Sequence, residues 1–219
     1  MGFYKHRIYP WLISKLSNPE PILQIRQRII PMAQGIVLEI GAGSGLNFTH
    51  YLPDKVDKLY ALEPNSGMIR FAEQQRLKTR LDVEYIGLPG ERIPLPDDSV
   101  DTVVSTFVLG TIPGVAEALQ GIRRVLRPDG KFLFCEIGLS PKPEVQRWQV
   151  RWKPITKWAF QGLDLSKNIP NLIESAGFQI DNLETMYFDE TSPASQAWTH
   201  CYLGTATHQN KNTPSHGNN

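Results

Sequence analysis

The sequence is short of several things that would each have pointed to a different kind of protein. It has two cysteines, Cys135 and Cys201, in 219 residues. A small secreted scaffold held by disulfides needs more. Both lie in apolar runs, so they are expected as buried free thiols in a reducing cytoplasm. No stretch reaches the ~18 consecutive apolar residues of a membrane span. The opening residues 1–10 carry Lys5, His6 and Arg7 with no long apolar core behind them, and do not read as a secretory signal. Neither sign of charge is in excess: 23 Lys+Arg against 22 Asp+Glu leave a formal net charge of +1. A surface that wraps phosphates carries a basic surplus, so nucleic acid is not expected as a partner. There is no internal repeat, no Ser/His/Asp set and no spacing suited to metal ligands.

What is present is an ordinary globular mixture, 41% hydrophobic and 21% charged, at a length that suits one domain. Residues 35–40 form a short apolar run that ends in glycines, as a buried strand does. Residues 59–62, 83–86, 100–105 and 131–137 read as four more strands. Helical spacing fills 65–78 and 115–126, and 127–130 reads as a tight turn. This alternation predicts an α/β fold, a Rossmann-like doubly wound sheet that is mostly parallel.

The flanks differ. Trp11, Leu12, Ile13 and Leu16 predict one amphipathic helix, and Ile22, Ile25, Ile29 and Ile30 a second, punctuated by Pro10, Pro19 and Pro21. Towards the other end, 169–176 reads as a helix closed by Gly177. Residues 178–187 and 197–206 then read as two antiparallel strands with no helix between them, which brings the sheet to seven. Residues 1–206 are therefore expected as a single domain and 207–219 as a disordered polar tail.

The most informative stretch is Leu38-Glu39-Ile40-Gly41-Ala42-Gly43-Ser44-Gly45-Leu46. Glycines between a strand and a helix permit unusual backbone angles and close approach of a ligand to the main chain. A Cβ at Gly41 or Gly43 is expected to point into that ligand. A dinucleotide site spaces its glycines G-x-G-x-x-G. Here they stand at 41, 43 and 45, with Leu46 where the third would be, which disfavours a nicotinamide oxidoreductase. Glu63 ends the next strand, where a carboxylate can accept from both hydroxyls of a ribose. Pro64 follows. Met68 lies against a base ring or in the core.

Further elements come in order: Leu88-Pro89-Gly90-Glu91 after the third strand, Ser105-Thr106-Phe107 at the end of the fourth, and Arg127-Pro128-Asp129-Gly130-Lys131 before the fifth. Arg123 and Arg124 read as solvated. In this order, residues 36–137 resemble the class I S-adenosylmethionine (SAM) methyltransferases, in the type 11 and methyltransferase-like branch near thiol and phospholipid methyltransferases. Gly2-Phe3-Tyr4, Ile29-Ile30-Pro31, Arg147-Trp148 and Gly162-Leu163-Asp164-Leu165 extend the likeness outward.

The resemblance implies a SAM-binding core at 35–138, a helical lid at 1–34 and acceptor-side helices and strands at 139–206. It places Glu39, Gly41, Ala42, Gly43 and Gly45 around the cofactor, with Glu63, Pro64 and Met68 on the adenosine. Gly90 and Glu91 follow the adenine edge, although Pro89 stands where many members carry Asp. Ser105, Thr106 and Phe107 flank the methionine end. Relatives often have Cys at the position of Leu163 and His at that of Ile137, and chemistry resting on those residues does not carry over.

The implied reaction is in-line methyl transfer to N, S or O of a small-molecule or lipid acceptor. The alternative is a SAM-binding regulatory module without catalysis. Glu136, ending the fifth strand, is the best-placed base, or else a carboxylate balancing a nearby cation or helix end. The rings Phe3, Tyr4, Tyr9, Trp11, Trp148, Trp152 and Trp158 lie outside the core and suit a lid over an apolar or cationic acceptor. Arg7, Arg147, Arg151, Lys153 and Lys157 beside them would suit peripheral contact with an anionic membrane.

Overall fold

A computed structural model describes residues 20–160 and 162–209. The first amphipathic helix, the rings at 3, 4, 9 and 11, and most of the polar tail lie outside the described residues. Five strands form where the apolar runs were read: β1 (Gly35–Ile40), β2 (Val56–Leu62), β3 (Val83–Ile86), β4 (Val100–Thr106) and β5 (Leu126–Ile137). They are parallel, and β6 (Phe178–Tyr187) and β7 (His200–His208) complete a seven-stranded sheet in the order β3-β2-β1-β4-β5-β7-β6. The β5–β7 and β7–β6 pairs are antiparallel.

Six helices cover this sheet among the described residues: α1 (Glu20–Ile29), α2 (Ser66–Arg76), α3 (Val115–Val125), α4 (Pro143–Ala159), α5 (Ile169–Ser175) and α6 (Pro193–Thr199). Pro21 falls in the first turn of α1, where its missing N–H costs nothing. None of these helices is long and apolar enough to cross a membrane.

Alternation along β1 separates two cores. Leu38 and Ile40 pack with Ala118, Leu119 and Ile122 of α3 and with Ile169 and Ile173 of α5. Val37 packs on the other face with Ile25 and Ile29 of α1, Phe48 and Ala72. Each fully buried Leu, Ile or Phe contributes about 1.5–3 kcal/mol relative to exposure. The same alternation turns Glu39 to the α1 face, with Val37. Ile40 pairs with Leu62 on one side and Ser105 on the other, so β1, β2 and β4 end level. Beyond β1 the connections run to opposite sides, and this divergence opens a crevice at the strand ends.

Four local readings are corrected. A helix, α6, lies between β6 and β7 where none was expected. Ser192 and Ser195 cap it reciprocally, each side chain accepting the other's N–H at 3.1 Å, with Pro193 in the first turn. Serine at the third position, instead of the usual Glu or Gln, concealed the signal. The 127–130 turn sits inside β5 as a looped-out segment: Val100 pairs with Leu126, but Thr102 pairs with Lys131. Arg124 is not merely solvated; it donates to the carbonyls of Ile93 and Leu95 at 2.8 Å and to Asp97 at 2.7 Å. Strand β7 runs through Thr207 and His208, past the expected boundary at 206. Cys135 and Cys201 are buried free thiols with sulfurs 3.3 Å apart.

Candidate functional site

A cleft of about 520 Å³ opens at the ends of β1, β2 and β4. Its floor is the glycine loop. Gly41, Gly43 and Gly45 all have left-handed backbone angles, with φ of 65°, 57° and 74°. Their reasons for being glycine differ. A Cβ on Gly41 would lie 2.3 Å from Cγ2 of Val108, and one on Gly45 would lie 2.9 Å from Cα of Ala72 in α2. Those two are bare because the protein packs against them, which corrects the expectation that a Cβ on Gly41 meets a ligand. Gly45 is not part of the cleft wall. At Gly43 nothing approaches closer than 3.8 Å, and it alone leaves open space for a ligand.

Glu63 meets this loop directly. One carboxylate oxygen accepts the Gly43 N–H at 3.0 Å and the other the Asn65 N–H at 2.8 Å. The residue is only 8% exposed. Burial pushes its pKa up, and the two N–H donors pull against that. Asn65 also caps α2, accepting from Gly67 N–H at 2.9 Å, which fixes Pro64 and Met68 on the cleft wall. The opposite lip is Pro89, Gly90 and Glu91. Pro89 turns the chain by accepting from Arg92 N–H at 2.9 Å, and Glu91 caps α3 through Gly114 N–H at 3.0 Å.

At the other side of the loop Glu39 is fully enclosed. It accepts from Asn47 Nδ2 at 2.8 Å and from the Tyr51 hydroxyl at 2.9 Å. Burial lifts its pKa to about 7, although Asn47, Tyr51 and the Arg26 charge pull it down. Asn47 Nδ2 also reaches Thr106 Oγ1 at 3.0 Å, and Asn47 Oδ1 accepts from Arg26. The Arg26 guanidinium lies over the Phe107 ring, 5.6 Å from its centroid. Glu39, Thr106 and Phe107 therefore come together, joined by Arg26, Asn47 and Tyr51, which the sequence reading did not single out. A signal for Arg26 existed. It stands one turn from Ile22 and Ile29, a charge inside the apolar stripe of α1.

Glu136 and Ser105 do not line the cleft. Glu136 accepts the Ser105 hydroxyl at 2.5 Å and the N–H groups of Val108 and Leu109 at 2.9 and 3.0 Å. Burial lifts its pKa to about 7 against those donors. Its carboxylate anchors the turn that presents Phe107, whose φ of 58° is costly for a side chain of that size. Glu136 was expected as a base or as a carboxylate balancing a cation or helix end; its bonds instead go to the Ser105 hydroxyl and to the N–H groups of the 107–109 turn.

The far end of the cleft is apolar. Ile22, Ile137, Phe160, Leu163 and Trp198 form it, with no titratable side chain among them, while Val108 packs against Gly41 and Ile112 against Gly90. Trp198 comes from α6 and packs against Phe160 and Trp152 with ring centroids 5.6 Å apart in each case. It was missed because α6 was missed. Trp148 and Trp152 stack on each other within this cluster, whereas Trp158 points to solvent at 87% exposure.

Comparison with known proteins agrees with this geometry. Residues 38–134 match the family described as "Methyltransferase domain". The human thiol S-methyltransferase TMT1B is 33% identical over 152 residues, which is 68% of this chain and 62% of that protein. The ubiquinone/menaquinone biosynthesis C-methyltransferase UbiE of Shewanella oneidensis is 31% identical over 153 residues, 67% of this chain and 55% of its own length. The chain thus spans about three-fifths of the relatives it matches. A SAM-dependent methyltransferase from Aquifex aeolicus superposes with a TM-score of 0.63 at 18% identity, covering 90% of this chain and 97% of that one. At that identity the likeness is one of fold.

Proposed function

The chain belongs to the class I SAM-dependent methyltransferases, and from that premise we propose that it transfers a methyl group to a small, mostly apolar acceptor, with thiols the first class to test. The observation that carries this reading is the contrast within one cleft. At one end a buried carboxylate is hydrogen-bonded to a glycine loop with open space above Gly43, and at the other stands an apolar wall. Residues and cofactor fit: Gly43 leaves the main chain approachable, and the remaining lone pairs of Glu63 suit ribose hydroxyls. The lip at Pro89, Gly90 and Glu91 would flank the base.

SAM, when bound, supplies a methyl on a sulfonium, which needs no activation as a leaving group. The chain's own contribution is alignment and exclusion of water, effects worth up to about 7–11 kcal/mol. The apolar end offers no base. An acceptor is then favoured if it ionises by itself near neutral pH. A thiol, of pKa about 8.5, does so in part, while an alkyl alcohol does not. The named activity of TMT1B supports the same class.

The test is transfer of labelled methyl from SAM to a panel of alkyl and aryl thiols, amines, quinols and phospholipids. Thioether product, at a rate rising from pH 7 to 9 with the thiolate fraction, is the expected result. Tight SAM binding without product from any acceptor would leave a SAM-binding module without catalysis. Binding of NAD in place of SAM would remove both readings.

We infer in addition that the acceptor reaches the cleft from an anionic membrane surface. The outer face of α4 carries Val150, Ile155 and Trp158, all exposed, beside Arg147 and Arg151. Lys153 and Lys157 are held back on Asp164 at 2.9 and 3.6 Å. Apolar residues flanked by arginines suit an interface between headgroups and chains. This helix runs directly into Phe160 on the cleft wall. Sedimentation with vesicles containing phosphatidylserine, lost in Trp158→Ala or at high salt, is expected; equal recovery with neutral vesicles, or none with either, would overturn it.

A further inference from the structure

His200 opens β7 immediately after α6, and it is fully buried. Its Nδ1 lies 3.3 Å from the carbonyl oxygen of Gly138, the residue that follows β5. A carbonyl can only accept, so the ring proton sits on Nδ1 and Nε2 carries a bare lone pair. Nε2 is buried without a hydrogen-bond partner, which is rare for a polar atom. Tyr187 of β6 and Tyr202 of β7 face the ring, with centroids 4.9 and 4.7 Å away. From the segment before α4, the Lys142 ammonium bears on it with like sign. Helix α4 presents Gln149 and α6 the Ala197 carbonyl, both neutral. Glu136 of β5 is bonded to Ser105 and the 107–109 turn, and Asp189 beyond β6 to the Thr191 N–H at 2.8 Å. No carboxylate among the described residues pairs with the ring.

This ring sits directly behind two residues of the apolar end. Ile137 precedes Gly138, and Trp198 stands two residues before His200. The Gly138 N–H donates to the His200 carbonyl at 3.2 Å, and Gln149 Nε2 ties the Gly138 carbonyl at 2.9 Å to that of Ala197 at 3.3 Å. One joint thus sets Trp198 against the end of β5. Sheet order keeps it apart from Glu63: β1 and β4 lie between β2 and β5, about 14 Å at the usual strand spacing. We propose that His200 is a positioning residue for the acceptor: its neutral ring seats Trp198 beside Ile137, and protonation unseats that wall, so that acid weakens acceptor binding and spares cofactor binding. This rests on the reading of the apolar end as the acceptor site and deepens it. A proton on Nε2 would add a charge near Lys142 and an N–H with nothing to receive it. Both are relieved where the ring reaches water, which moves α6 with it. Burial holds the His200 pKa below its ordinary 6.5, with the Gly138 carbonyl opposing and Lys142 assisting. The seated form therefore excludes the proton, and the effect begins as pH falls below about 6.5.

The experiment is calorimetric binding of methyl phenyl sulfide, a thioether with no titrating group, to the full chain saturated with S-adenosylhomocysteine. It is run at about pH 7.5 and about pH 5.5, on either side of the histidine range. One linked proton changes affinity by at most about tenfold per pH unit, so a weakening of roughly 3–10-fold is expected at the lower value. His200→Asn, whose amide can still donate to Gly138 and does not titrate, should bind the thioether equally at both. S-adenosylhomocysteine alone should respond to pH alike in the parent and in His200→Asn. By reciprocity, the thioether must lower the His200 pKa by the same factor, up to about one unit, in histidine-ring NMR spectra of the intact protein.

Thioether affinity that is the same at both pH values in the intact protein overturns the proposal, as does an equal loss in His200→Asn. A His200-dependent loss of S-adenosylhomocysteine binding as large as that of the thioether marks general loosening and overturns it too. If His200→Asn fails to fold, the NMR titration of the intact protein decides, because a His200 pKa unmoved by the thioether refutes the coupling. Failure of the thioether to bind at the higher pH while S-adenosylhomocysteine binds would bring down the acceptor reading and this proposal with it. Equal binding at both pH values brings down only the role of His200.

Discussion

The two ends of the cleft are built on different principles. The end proposed for the cofactor draws on short segments at the carboxyl ends of successive strands, 39–46, 63–68, 89–91 and 106–108, and hydrogen bonds to main-chain N–H groups hold much of it. The apolar end is assembled from Ile22, Phe160, Leu163 and Trp198, which come from opposite parts of the chain and meet through packing. Main-chain geometry demands particular residues at fixed spacing. Packing accepts many residues of similar volume. One end is therefore expected to resist substitution and the other to tolerate it.

The sharpest way to break this contrast is at Gly41. Gly41→Val adds a β-branched side chain at positive φ, about 1–2 kcal/mol of strain, and drives it into Val108, a further ~1–3 kcal/mol of overpacking. No SAM binding should remain by calorimetry, and the melting temperature should fall by roughly 5–15 °C. Gly41→Ala combined with Val108→Ala removes the 2.3 Å contact but leaves the Cβ of residue 108 at 2.8 Å and the backbone strain, and should recover only part of the stability. Glu63→Ala is next. Removing a carboxylate that can make two charge-assisted hydrogen bonds should weaken SAM ~10–100-fold, with acceptor KM at saturating SAM little changed. An unaltered Kd would mean that the ribose is not held there.

Leu163→Ala probes the other end. Loss of apolar contact should raise the KM of an apolar thiol ~10-fold and leave the Kd for SAM where it was. If SAM binding moves as far as acceptor KM, the two ends are one coupled site and the contrast fails.

The same contrast explains what could be read in advance. The strands through β5, the bend at the glycine loop and the place of Glu63 at the end of β2 were legible because each is a local pattern tied to one backbone geometry. Gly41 was read for the wrong reason, and the packing that keeps Gly45 bare was not read at all. Their bareness answers to Val108 and Ala72, neighbours across the fold that sequence spacing does not reveal. Trp198 was lost with α6, a seven-residue helix whose cap is a Ser-Ser pair. Asn47 and Tyr51 lie on no motif, and only the burial of Glu39 gives them a purpose. Arg26 was visible as a charge inside an apolar stripe, but its meaning needed the Phe107 turn beneath it.

The smallest expected effect on turnover concerns the two enclosed carboxylates. Burial raises Glu39 and Glu136 from an ordinary value of 4.5 to about 7 in the folded chain. Between those values the unfolded chain has released these protons and the folded chain retains them. Their contribution to stability is therefore complete below pH 4.5 and is lost as pH rises through about 7, at up to ~1.4 kcal/mol per pH unit for each group. Urea midpoints at pH 5, 6 and 7 should trace that decline, and Glu136→Gln should flatten it. The amide keeps an acceptor for the Val108 and Leu109 N–H groups without a charge to bury. Because Glu136 stands off the cleft wall, methyl transfer by Glu136→Gln should stay within a few-fold of the parent. A fall of ~10²–10⁴-fold, the range for a lost general base, with folding intact, would put Glu136 back into the chemistry. The apolar end would then no longer be the reason for choosing a thiol.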